Sequence, residues 1–250
     1  MVNVVPLDRQ RYLGKGWRRP MGYTFAERDA VVALVGSEFP KAALALPIAF
    51  VEQSSFFVPV MLTSPVPGCN AALGPTGQWL IGYVPAALRT YPFSLAPAAD
   101  PEHAVLSFDE DSGLLVIADD STEKFFESDG SLSPNLSSIS RLLRETNESR
   151  IATNRAVVAL SDAGLIKRWP LVVPVGNQDI PVSGLYCVDE AALNALDDGS
   201  LVEVRRALPL AYAQLLSMGQ VGVLSRLALI QQQIGMPLRQ EAPAVGHSPS

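Results

Sequence analysis

The stretch that decides the fold is LALPIAFVEQSSFFVPVMLT, residues 44–63. It holds two apolar runs, LALPIAFVE and SFFVPVMLT, which are rich in β-branched and aromatic residues and are bounded by turn residues. Such runs favour β-strands. Further along the chain, the turn GPTG (74–77) precedes a third run of this kind, QWLIGYV (78–84). The sequence therefore predicts three strands in this region.

More extended runs follow in the middle of the chain. AVLSFDED (104–111) and GLLVIADD (113–120) predict two strands around a turn. In PLVVPVGNQDIPV (170–182), a Gly-Asn pair stands between two apolar runs, which is typical of a hairpin. Residues 1–22 carry scattered glycines and prolines and therefore indicate an irregular arm.

Helical spacing of apolar residues predicts a long helix over 134–163, with Gly164 placed to end it. A helix is also predicted over 24–39 because its start has capping-box spacing, and a short helix is predicted to start at Pro85. Pro209 should kink or break one of the later helices. Three helices are expected near the C-terminus, at 190–196, 201–218 and 220–234. Asp189 can cap the first of them, and Asp197, Asp198 and Ser200 offer caps for the second.

Strands and helices do not alternate regularly, which indicates an α+β fold. Antiparallel strands and hairpins should form the N-terminal and middle parts, and helices the C-terminal third. We expect one globular domain over residues 1–235 and a disordered, Pro-rich tail over 236–250.

Composition excludes several classes of protein. Hydrophobic residues make up 48% of the chain and charged residues 18%, and the formal net charge is -6. Without a basic stripe, nucleic-acid binding is not expected. Proline and polar residues interrupt the apolar stretches, so no membrane span is expected, and the N-terminus lacks the order of a secretory signal. The protein is therefore expected to be cytoplasmic, with Cys69 and Cys187 as reduced thiols.

Catalytic motifs are scarce. The histidines are His103, in a Pro/Asp loop, and His247, in the expected tail. A Ser–His–Asp centre or a two-histidine iron site would need a rigidly held imidazole, which neither position favours. There is no phosphate-binding glycine motif. We therefore assign no catalytic residues, no metal ligands and no cofactor from the residues.

Carboxylates are dense between Asp109 and Asp120. Oxygen ligands at this density suit calcium, but the spacing does not match an EF-hand loop. A solvated turn is the favoured interpretation, and a cation site at 109–120 stays open.

Aromatic residues surround one arginine in the block 79–93. Arg89 and Tyr91, with Tyr83, are the candidate binding residues, because arginine beside aromatic side chains is typical of recognition surfaces. Trp79 and Phe93 are expected in the core.

Five stretches of the chain, taken in order, resemble the conserved blocks of the SapC family. They are GYTF, LVGSEFPKAALALPIAF, GQWLIGYVPAALRTYPF, SGLYCVDEAALNAL and LLSMGQVGVLSRL. The family takes its name from bacterial loci linked to surface-layer protein transport. Many of its members are encoded near outer-membrane TonB-dependent receptors and flavin-dependent halogenases. The resemblance thus implies a role in uptake or surface-associated pathways, and it carries over no catalytic residues.

Three functional hypotheses follow. The first is a non-enzymatic accessory protein with a protein partner, linked to surface-layer or outer-membrane uptake pathways; a homo-oligomer stays open. The second is a cofactor-dependent enzyme that does not use histidine, for which Asp109, Asp119 and Arg89 would be examined first. The third is a small-ligand or peptide-binding module built on the strand region.

Overall fold

The structure, a computed structural model, describes residues 3–97 and 104–234. His103, His247 and the expected tail over 236–250 lie outside these residues. The strands are β1 (Val4–Pro6), β2 (Lys15–Trp17), β3 (Val31–Ala33), β4 (Ile48–Gln53), β5 (Phe56–Leu62), β6 (Phe93–Pro97), β7 (Ala104–Asp109), β8 (Leu115–Ile117), β9 (Glu123–Lys124), β10 (Ile166–Arg168), β11 (Leu171–Val175), β12 (Gln178–Val182) and β13 (Leu185–Val188). The helices are α1 (Phe39–Ala42), α2 (Ala86–Arg89), α3 (Pro134–Asp162), α4 (Glu190–Asn194), α5 (Asp198–Val204), α6 (Leu208–Ser217) and α7 (Val221–Gln233).

The chain divides into two compact units. The first consists of Met1–Met21 and Ala86–Ser149, and the second of Gly22–Pro85 and Arg150–Ser250. Antiparallel sheets lie in the N-terminal and middle parts, and helices lie in the C-terminal region, so the fold is α+β as predicted.

The first unit holds two antiparallel sheets, in the strand orders β1-β7-β6 and β8-β2-β9. Aromatic side chains, each of which buries a large apolar area, make up most of its core. The buried residues of this core are Tyr12, Trp17, Phe93, Leu106, Phe108, Phe125 and Leu136.

The second unit is built on a five-stranded antiparallel sheet in the order β10-β13-β4-β5-β3, accompanied by the β11–β12 hairpin. Its core includes Phe50 and Met61 of the sheet, Leu160 of α3, and Ala211 and Leu224 of the C-terminal helices. The region 44–63 supplies the central strands β4 and β5, in agreement with the prediction.

A side chain completes the sheet where β13 and β4 separate. These strands pair Leu185 with Val51 and Tyr186 with Phe50. At the next position that would be hydrogen-bonded, the buried Gln214 of α6 accepts from the Val188 N–H at 2.9 Å and donates to the Ile48 carbonyl at 3.0 Å. Its amide therefore takes the place of a backbone pair and fixes α6 to the sheet.

Several local predictions are confirmed. The long helix runs from Pro134 to Asp162, and Gly164 follows it with φ of +68°. The Gly-Asn pair forms the β11–β12 turn, and Asp189 and Asp197 accept backbone N–H bonds at the starts of α4 and α5. Cys69 and Cys187 are free thiols, and burial raises the pKa of each.

The predicted helix over 24–39 is wrong. Two short 3₁₀ turns occupy its ends, and Val31–Ala33 between them forms the edge strand β3, paired with β5. Pairing with a sheet edge satisfies the backbone of this β-branched segment better than an isolated turn of helix. QWLIGYV is also not a strand: within it, Trp79 makes only an isolated bridge with Leu73.

The irregular arm predicted over residues 1–22 needs correction too. β1 and β2 lie in the predicted arm and pair with strands about a hundred residues away. The two strands predicted around residues 110–113 are confirmed as β7 and β8. β7 pairs with β1 and β6, whereas β8 pairs with β2. The strands that satisfy the backbone hydrogen bonds of β1 and β2 are distant from them in sequence.

The turn between β4 and β5 is expected to respond to substitution. Its two residues, Ser54 and Ser55, both have positive φ, at 48° and 71°. A Cβ atom disfavours this conformation, which asparagine and glycine tolerate. Ser54→Asn with Ser55→Gly should raise the free energy of unfolding by about 1 kcal/mol in urea titration. Replacing both serines with alanine keeps the strain and should give no gain; an equal gain would contradict this explanation.

Candidate functional site

Arg89 and Tyr91 lie in the first unit, at and just beyond the end of α2. Arg89 is exposed and Tyr91 is half-buried. Burial, and then the negative charge of Asp109, raise the pKa of Tyr91. Phe93, two residues on, is buried in the aromatic core, 4.9 Å from the Trp17 ring, as predicted.

Tyr83 lies in the second unit, where its polar groups have partners. Its hydroxyl donates to Oε1 of the buried Glu38 at 2.8 Å, and its carbonyl accepts from Trp79 Nε1 at 2.7 Å. The other oxygen of Glu38 accepts the Val35 N–H at 3.0 Å. Tyr83 is thus an anchored residue of its own unit. A common binding surface for Tyr83, Arg89 and Tyr91 stays a prediction.

The acidic segment is held by local hydrogen bonds. Asp109 accepts the backbone N–H groups of Asn3 and Asp111, and Asp119 accepts two bonds from Ser121. These bonds to Ser121 lower the pKa of Asp119. Among the described residues, no three His, Cys, Asp or Glu side chains are grouped to hold a metal ion.

Glu110 of this segment is bound by two residues of the N-terminal part of the chain. Its two oxygens accept from Nε and Nη2 of Arg11 at 2.9 and 2.8 Å, and Oε1 also accepts from the Tyr12 hydroxyl at 3.0 Å. The bonds from Arg11 lower the pKa of Glu110. Burial, reinforced by Glu110, raises the pKa of Tyr12 to about 12.

We expect the contribution of Glu110 to stability to depend on pH. Because its pKa is lowered in the folded state, this contribution is complete above the ordinary value of 4.5 and disappears as the pH falls through the folded-state pKa. Glu110→Gln should therefore lower the melting temperature at neutral pH and change it little at strongly acidic pH. Glu145→Gln, at an exposed site of α3, is the control for the loss of a surface carboxylate. A constant difference across the pH range would contradict the assignment.

An exposed apolar surface of the second unit lies on α6. Tyr212 is 53% exposed and Leu216 is 61% exposed, while Pro209 is exposed one turn earlier. Residues three and four apart lie on the same side of a helix, so these three form one stripe, here called the α6 face. The opposite side of α6 is buried at Leu210, Ala211, Gln214 and Ser217.

This region is also apolar enough to pass a simple test for a membrane span. An 18-residue window within Leu208–Gln233 has a mean hydropathy of 1.3, and 28% of that window is buried. The criterion uses length and composition alone, and a 3₁₀ turn at Met218–Gln220 separates α6 from α7. This criterion alone is weak evidence for a membrane span, and the absence of a span that the sequence predicts stays a prediction.

Comparison with protein families gives one match. The family model described as SapC matches residues 7–224 of the 250-residue chain. The chain belongs to the SapC family. The match covers both units, including the α6 face and the Glu38–Tyr83 contact. No curated protein and no solved structure matches this SapC-family chain.

Sequence reasoning selected Tyr83, Arg89 and Tyr91 but missed Glu38, Gln214 and the α6 face. Glu38 stands in the family-like block LVGSEFPKAALALPIAF, which was the available signal. The α6 face has a weaker signal, since the sequence of an apolar helix does not show which of its sides is buried and which is exposed.

Proposed function

We propose that this SapC-family protein is a non-enzymatic accessory protein that docks on a partner protein through the α6 face, in surface-layer or outer-membrane uptake pathways. The observation that carries the proposal is the exposure of Tyr212 and Leu216 side by side on one helix. Exposed apolar patches mark interaction sites, and tyrosine is enriched among the residues that dominate binding energy.

The geometry of α6 supports a rigid docking surface. Gln214 and Ser217 on its buried side both bond to Ile48 of the sheet, the serine by accepting the Ile48 N–H at 2.8 Å. A helix fixed in this way presents Tyr212 and Leu216 at a constant spacing, so little entropy is lost on binding. An amphipathic helix or apolar groove on the partner would fit such a stripe.

A protein partner is favoured over a lipid surface by charge. The chain carries a formal net charge of -6, which opposes docking on an anionic bilayer. The family context, with its links to transport loci, favours a partner from a surface-associated pathway.

The test is photo-crosslinking in cells, with a photoreactive amino acid placed at position 212 or 216. Asn177, exposed in the β11–β12 turn, is the matched control position. The expected result is a discrete adduct with a component of a surface-layer or outer-membrane uptake pathway from positions 212 and 216, and none from 177. Adducts only with generic chaperones, with lipid or with this chain's own residues 235–250, or the same adducts from position 177, would contradict the proposal.

A further inference from the structure

A cleft of about 440 Å³ opens on the first unit, and its lining includes none of the residues discussed so far as binding candidates. The loop that leads into β2 and the segment that follows β9 form its walls. Its volume falls within the range of small-molecule pockets, about 300–1,000 Å³. Arg89, Asp109 and Asp119 are not among its lining residues, so it is not the enzyme site considered from the sequence.

The lining is rich in positive charge. Its charged side chains are the three cations Arg9, Lys15 and Lys124 and one carboxylate, that of Glu127. Among the described residues, none of these three cations forms a salt bridge. Clustering of like charges around a concave surface raises the local potential and attracts anions. This arrangement stands out in a chain whose formal net charge is -6.

Carboxylates close to the cleft are already engaged elsewhere. Glu110 is bound by Arg11 and Tyr12, and Asp129 accepts the N–H and hydroxyl of Ser131 at 2.9 and 2.7 Å. These hydrogen bonds compete with any salt bridge between the two carboxylates and the cations that line the cleft. The charge of Lys15 helps to lower the pKa of Glu110, and that of Arg9 helps to lower the pKa of Asp129. Among the described residues, neither cation donates a hydrogen bond to these carboxylates, so their N–H groups can still bind an external anion.

Aromatic residues form the base of the cleft. Phe125 is 1% exposed, and its ring lies 4.7 Å from that of Tyr12. The Lys15 ammonium lies 5.4 Å from the centre of the Tyr12 ring, which holds it by a cation–π contact. Arg9 is held by the bond from Nη2 to the Ser128 carbonyl at 3.0 Å. Two of the cations are therefore positioned beside an apolar surface.

We infer that this cleft binds a small organic anion that carries a carboxylate on an apolar, ring-sized body. The carboxylate pairs with Arg9 and Lys124, and the apolar body lies against the half-buried ring of Phe126 beside Lys15. Arginine is well suited to the planar carboxylate, and the aromatic residues favour a ligand with more than its charge. The inference is independent of the α6 face and of the partner proposed for it.

The test is a titration of the ¹⁵N-labelled full chain followed by NMR, with benzoate, benzamide and inorganic phosphate as probes. Benzoate should give saturable shifts centred on the amides of residues 9–15 and 124–128. Benzamide has the same ring without the charge, and phosphate has charge without the ring. Both should bind at least about tenfold more weakly than benzoate.

Variants identify the residues responsible. Arg9→Gln with Lys124→Gln should weaken benzoate binding by about tenfold or more, whereas Arg141→Gln with Arg144→Gln, at exposed sites of α3, should leave it unchanged. If the first pair fails to fold, Lys124→Gln alone gives the same test, because Lys124 is exposed and its ammonium makes no hydrogen bond or salt bridge with a described residue. Absence of saturable benzoate shifts, equal binding of benzamide or phosphate, or unchanged binding by the cleft variants would overturn the inference.

Discussion

Gln214→Leu is expected to lower the free energy of unfolding by about 2–5 kcal/mol, although leucine is close to glutamine in size and favours helices. The amide of Gln214 satisfies the Val188 N–H and the Ile48 carbonyl, and all of these groups are buried. Leucine would leave both backbone groups without partners in the interior. Each unsatisfied group costs about 1–3 kcal/mol. Urea titration followed by circular dichroism measures the loss.

Gln232→Leu is the matched control, since Gln232 is exposed on α7. It should change the free energy of unfolding by less than about 0.5 kcal/mol. If Gln214→Leu behaved like this control, the amide would not complete the sheet, and the fixed position of α6 would lose its physical basis.

Phe108→Ala should destabilise the protein by about 3–5 kcal/mol. Phe108 is fully buried and lies 5.1 Å from the Phe93 ring and 5.3 Å from the Phe125 ring. Its removal takes away the contacts at the centre of the aromatic core of the first unit and leaves a cavity. Phe56→Ala, at a side chain that is 65% exposed, should cost far less. Similar losses for the two variants would contradict the core assignment.

These two substitutions also test the prediction of a single domain over residues 1–235. Phe108 belongs to the first unit and Gln214 to the second. If the chain unfolds cooperatively as one domain, both variants should shift the same calorimetric transition. Two transitions, each shifted by only one of the variants, would show two domains.

The parts of the fold that the sequence predicts well are those with local causes. α3 has a sustained helical period and a glycine where a left-handed residue is needed, and the β11–β12 turn has a Gly-Asn pair. Asp189 and Asp197 precede α4 and α5, where a carboxylate can accept free N–H groups. Each signal lies within a few residues of the structure it determines, so it can be read without knowing the rest of the chain.

The parts predicted wrongly depend on distant partners. Val4 pairs with Asp109, and Lys15 pairs with Ile117. The N-terminal segment therefore forms strands only by pairing with the middle of the chain. Val31–Ala33 likewise forms a strand because it pairs with β5, although the spacing of its apolar residues had predicted a helix. Local propensity cannot report such pairing, because strand formation depends on context more than helix formation does.

Functional residues were harder to predict than the fold. Gln214 interrupts an apolar stretch and suggests an exposed position, yet it is fully buried because it replaces a backbone pair. The cations of the cleft come from segments more than a hundred residues apart in sequence, at Arg9 and Lys124. No spacing rule connects such residues, whereas a structure brings them together directly.

The central claim, that the α6 face binds a protein partner, is tested most directly by the affinity of the partner captured through position 212. Titration calorimetry should compare the unaltered chain with Tyr212→Lys combined with Leu216→Lys, and with Asn177→Lys as control. Both side chains project from the surface, so the melting temperature should stay unchanged while the affinity falls by about a hundredfold or more. Unchanged affinity in the α6 variant, or an equal loss in the Asn177→Lys control, would contradict the claim.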